Sequence, residues 1–153
     1  MLKKILIGVV VLGAILIAFL GYGTHKVADE VLKETEPRLR NYLQMDEATQ
    51  NQYILDNFNE VLPKVDFYKG GKPEDKERLQ RLMKLNEQPE IKKAFIDVAR
   101  SSLASFILSF DTIVKDMSAG DKAKYEKEAK EFETRADKYS KLVETADPTL
   151  KDE

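Results

Sequence analysis

Apolar and polar positions divide the chain into two unequal parts. Ile5 to Leu20 reads ILIGVVVLGAILIAFL, sixteen residues without a charge or a strong hydrogen-bonding side chain. After Gly23 the apolar positions recur with the 3.6-residue period of amphipathic helices, and nothing alternates with the two-residue period of a strand. The pattern predicts an all-α protein: an N-terminal transmembrane helix, then a small helical bundle containing a long antiparallel hairpin, at about residues 90–117 and 122–146.

Sixteen helical residues span roughly 24 Å, and counting on through Gly23 gives roughly 28 Å, close to the ~30 Å hydrocarbon core of a bilayer. Lipid supplies no partner for backbone N–H and C=O groups, so a single crossing must be helical. Ile5, Leu6, Leu12, Ile15 and Leu20 make the membrane anchor, with Tyr22 at the interface. Lys3 and Lys4 mark the cytoplasmic side by the positive-inside rule. The domain organisation is therefore residues 1–23 as anchor, 24–147 as an extracytoplasmic helical domain and 148–153 as a frayed tail. A cleavable signal peptide is the rival reading: basic start, apolar centre, and Gly21 and Gly23 at the positions a peptidase inspects. It would release the domain to the periplasm. Ala14 and Ala18 form a small-xxx-small pair that suits close helix approach, though alanine is common in such helices.

Beyond the anchor, Leu39, Tyr42 and Leu43 carry an apolar stripe that Pro37 is expected to kink or restart. Asp46 suits an N-cap for a second helix to about Leu62, whose buried face holds Ile54, Leu55 and Phe58. Pro63 to Pro73 is irregular, with a Gly70-Gly71 turn signal and Pro73 placed to open a third helix. Phe67 and Tyr68, with Lys69 and Lys72 close by, are the candidate contact for a protein partner; folding back onto the bundle is the plainer reading. Pro89 opens the fourth helix, the most apolar of the soluble part. Ala99, Leu103, Phe106, Phe110, Ile113 and Met117 fall at alternating spacings of four and three. Glycine at Gly120 ends this helix and Asp121 caps the next. The fifth repeats the spacing with Tyr125, Ala129, Phe132, Ala136, Tyr139, Val143 and Ala146, a narrow coiled-coil seam. Folding back about that turn sets Ala129 against Phe110, Ala136 against Leu103, and Phe132 near Phe106 and Ile107.

Charge narrows the partners. Setting Lys3 and Lys4 aside leaves 23 basic against 27 acidic residues, intermixed along the helices. A nucleic-acid partner calls for a clustered basic surface, so none is expected, and a polybasic grip on anionic lipid is equally unexpected. The absence of cysteine removes disulfides, thiolate nucleophiles and thiolate metal sites. One histidine, His25, has no second imidazole or thiol to share a metal. Nucleophilic triads therefore lack parts, and no cofactor is implied. Glu126, Glu128, Glu131 and Glu133 alternate with lysines on the expected exterior of the seam. Asp97, Arg100 and Asp111 interrupt the apolar fourth helix, and Asp97 can pair with Arg100 three residues on. Ser101, Ser105, Ser109 and Thr112 form a small polar stripe suited to close packing and hydroxyl back-bonding, or to a groove for a ligand or a helix.

These features lead to a non-enzymatic, single-pass inner-membrane protein that presents a helical bundle outside the cytoplasm. It would be an accessory subunit of a larger membrane or envelope complex, binding protein partners in or at the membrane, with homo-oligomerisation as an option. The alternative is a periplasmic immunity or inhibitor protein that masks a toxin or hydrolase.

Overall fold

The computed structural model describes residues 28–61 and 73–150. Regular structure among them is helical throughout, with no strand. The elements are α1 (Ala28–Gln44), α2 (Glu47–Val61), α3 (Pro73–Leu85), α4 (Pro89–Leu108), α5 (Asp111–Asp116), α6 (Ala119–Lys130) and α7 (Phe132–Ala146), closed by a 3-10 turn at Pro148–Leu150. No helix of the described residues is long and apolar enough to cross a membrane. The anchor residues Ile5, Leu6, Leu12, Ile15, Leu20 and Tyr22 lie outside the described residues, as do His25 and the contact candidates Phe67, Tyr68, Lys69 and Lys72.

Helix α4 is the axis. Ile91, Ala94, Phe95, Val98, Ala99, Leu103, Ala104 and Ile107 are all buried, a set wide enough to meet neighbours on several sides. Its main partners are α6 and α7, with α2 alongside. Near its start, the Phe95 ring lies 4.6 Å from Phe58 and 5.9 Å from Tyr139, both tilted. The Tyr139 hydroxyl donates to Asn86 Oδ1 at 2.6 Å, tying α7 to the α3–α4 turn. Near its end, α1 is held to α5. Thr112 Oγ1 donates to Glu36 Oε1 at 2.9 Å, and Arg40 reaches both the Thr112 carbonyl (3.2 Å) and Asp116 Oδ2 (2.9 Å). Where α1 ends, Gln50 Nε2 donates to the Tyr42 carbonyl at 2.9 Å and locks the α1–α2 joint.

Helix starts follow local chemistry. Asp46 Oδ1 accepts from the Thr49 N–H at 2.7 Å, the N-cap read from sequence. Pro73 and Pro89 open α3 and α4, where a missing N–H is harmless.

Five expectations need correction. Helix α1 runs through Pro37 without a restart; the lost hydrogen bond is offset by burial of Leu39 and Tyr42 in the following turn. The fourth predicted helix does not reach Met117. It ends at Leu108, and Phe110 is extended (φ −92°, ψ 98°) before α5 begins. Ser109 Oγ donates to the Phe106 carbonyl at 2.6 Å, and the bonds from Glu36 and Arg40 to Thr112 hold α5 in its own direction. The fifth predicted helix is two helices, α6 and α7, separated by Glu131. Its cap is Ser118, whose Oγ accepts from the Asp121 N–H at 3.1 Å, so Gly120 sits within the first turn of α6 rather than ending a helix. Finally, residues 148–150 form a 3-10 turn and are not frayed. Leu150 packs against the core, and Arg81 holds Asp147 (3.0 Å) and Thr149.

The hairpin register moves with these changes. Folding back about Gly120 would set Tyr139 opposite Arg100, yet its ring meets Phe95. Arg135 Nη1 donates to Ser101 Oγ (2.9 Å) and to the Asp97 carbonyl (3.0 Å). The partners on α4 lie about one turn or more nearer its start, because residues 109–118 are spent on the corner and on α5.

Candidate functional site

The chemistry of the bundle converges on Arg100, a charged residue on the buried face of α4. Its side chain is 4 % exposed. Val98, Ala99 and Leu103 around it are sealed from solvent, so the guanidinium needs partners from other helices. Nε donates to Glu128 Oε1 of α6 at 3.2 Å, and Nη1 donates to Asn51 Oδ1 of α2 at 3.0 Å. Three helices thus meet on one side chain. The phenol of Tyr42 lies in the same charged neighbourhood, and burial pushes its pKa well above the ordinary tyrosine range, with Arg100 pulling the other way. It remains a neutral phenol at any physiological pH.

This cluster faces inward. Glu128 is only 15 % exposed and its second oxygen, Oε2, is buried with no protein partner; Gln50 Oε1 is in the same condition. Two of the five guanidinium donors are thus committed to acceptors on neighbouring helices. The arrangement is a clasp between helices.

Sequence reasoning placed the right residue with the wrong partner. Asp97 does not pair with Arg100; its backbone carbonyl serves Arg135 instead. Glu128 belongs to the clasp and not to the exterior. Asp111 is exposed. The missed signal was the position of Glu128 beside the seam residues Tyr125 and Ala129, the natural flank from which an acid can meet a buried arginine on the facing helix. The Ser101–Thr112 stripe lines no single groove. Ser101 accepts from Arg135, Ser105 is exposed, Ser109 bonds its own helix and Thr112 bonds Glu36. Among the described residues, no group of three His, Cys, Asp or Glu side chains is placed to hold a metal ion.

Two open clefts flank the start of α4. One of about 660 Å³ lies between α2, α3 and the start of α4, walled by Leu55, Phe58, Met83 and Phe95 and rimmed by Lys84, Glu87 and Lys92. A second, of about 530 Å³, lies between Arg81, Leu85, Pro89 and Asp147. Neither gathers an acid, a base and a nucleophile on one wall. Comparison of the chain with protein-family models, with curated proteins and with solved structures finds no match in any of the three.

Proposed function

We propose that this protein is a single-pass, membrane-tethered interaction module, an accessory subunit whose helical bundle stands outside the cytoplasm and binds protein partners of a membrane or envelope complex. The observation that carries the reading is the uncharged run Ile5–Leu20, preceded by Lys3-Lys4 and joined within a few residues to the helical bundle that begins at Ala28. The inward-turned chemistry of that bundle supports it. Its buried arginine, the Tyr139 hydroxyl, Ser101 and Thr112 hold helices together, which leaves the mixed-charge helix exteriors as the working surface.

Gentle solubilisation of membranes at native expression, followed by identification of what co-purifies with the full-length chain, tests the proposal. A stoichiometric membrane complex is the expected result. Recovery of the chain alone would contradict the subunit reading and move the weight to the inhibitor, whose partner is present only under attack. Removing residues 1–23 while keeping the domain exported should abolish function; full activity of the freed domain would count against the tether.

A further inference from the structure

The direction of α1 decides which end of the bundle meets the membrane. The apolar run ends at Leu20, and only residues 21–27 separate it from Ala28, the first residue of α1. Seven residues reach at most about 25 Å when fully extended, so the tether enters the bundle at the start of α1. The contacts of α1 locate it against the rest of the bundle. Glu36 and Arg40, in its middle, hold Thr112 and Asp116 beyond the end of α4. Its last turn, at Tyr42, is joined by Gln50, next to the Asn51 that holds Arg100 in the middle of α4. Going back along α1 toward the tether therefore moves away from the middle of α4 and toward the α5 residues beyond its C-terminal end.

We propose that the α4–α5 corner and the link from α5 to α6 form the face of the bundle that rests on the bilayer surface. The Asn86–Pro89 turn is then the outer end. This inference rests on the tethered reading above. The chemistry of the two ends fits the assignment. The corner carries Phe106 and Phe110 in an edge-to-face pair at 5.1 Å, and the link after α5 carries Met117, all incompletely covered by the core. Leu108 and Val114 are half-buried on the same corner. Aromatic and branched apolar side chains of this kind suit the boundary between headgroups and acyl chains. The exposed charges there are of both signs, Asp111 with Lys115 and Asp121 with Lys122, which matches a zwitterionic surface better than an anionic one. The outer end instead exposes Glu87, Glu90, Lys92 and Lys93 around Pro89. The twenty residues of α4 separate the two ends by about 30 Å.

The chain has no cysteine, so a single introduced thiol gives a unique label. Full-length Ser105→Cys and Lys115→Cys at the corner, Gln88→Cys at the outer end and Leu12→Cys in the anchor are each labelled with a small fluorophore. The proteins are reconstituted in phosphatidylcholine vesicles bearing a headgroup spin label or an acyl-chain spin label. Ser105, Lys115 and Gln88 are exposed and make no side-chain bond that the fold needs, and circular dichroism confirms folding of each variant. The proposal expects headgroup quenching at least twofold stronger at 105 and 115 than at 88. Equal quenching at the two ends, stronger quenching at 88, or none at either end while Leu12→Cys is quenched by the acyl-chain label would overturn it and leave the tether standing. Failure of the acyl-chain label to quench Leu12→Cys would instead bring down the tether, and this inference with it.

Discussion

Two arginines join helices in this bundle under opposite conditions. Arg100 holds Glu128 and Asn51 with 4 % of its side chain exposed. Arg40 holds Glu36, Asp116 and the Thr112 carbonyl with 38 % exposed. The number of partners is similar, but what water can do differs. At Arg40, solvent replaces any partner that is lost, and salt screens the attraction. At Arg100, a lost partner leaves a charge stranded among apolar side chains. The first joint trims the angle of α5 against α1. The second ties together the facing sides of α2, α4 and α6.

That contrast can be broken at its strongest point first. Glu128→Ala strands Arg100 and should cost about 3 kcal/mol of stability, read from urea unfolding of the full-length chain in detergent by circular dichroism. Replacing the pair together, Arg100→Met with Glu128→Leu, should restore most of that loss, since matched apolar side chains carry no desolvation penalty. A double variant as unstable as Glu128→Ala would mean that the clasp contributes more than mutual satisfaction. Tyr139→Phe removes the 2.6 Å bond to Asn86 and should cost about 1 kcal/mol, visible as a lower urea midpoint with an unchanged slope.

The exposed joint should give the smallest change. Arg40→Ala should lower the melting temperature slightly in dilute buffer and not at all in molar salt. Its pH dependence has a definite sign. Hydrogen bonds from Arg40, and then from Thr112, hold the Glu36 carboxyl below the usual carboxylate range. The contribution of Glu36 is therefore present above its unfolded pKa and lost as the pH falls through the lower folded value. Wild type and Glu36→Gln should differ at neutral pH and converge in acid, below the ordinary carboxylate range.

Legibility in the sequence followed the range of the interactions. Helical class, the Asp46 cap and the proline starts at Pro73 and Pro89 depend on neighbours within one turn, and local patterning carries them. The burial of Ala99, Leu103 and Ile113 followed from periodicity alone. The corner at Ser109–Phe110 did not, because it is held by Glu36 and Arg40, more than seventy residues earlier in the chain. The partner of Arg100 was hidden for the same reason. An intrahelical acid at Asp97 satisfies a local rule, whereas Glu128 becomes eligible only once the hairpin register is known. Pro37 shows the reverse case, in which a strong local rule yields to burial of the residues that follow.

The claim on which the functional account depends is that residues 1–23 remain on the chain as its tether. Mass spectrometry of the intact protein recovered from alkali-washed membranes tests it directly. A membrane-pelleted chain that retains those residues is expected, while a chain shortened by about its first 23 residues and found in the soluble fraction would contradict the tether.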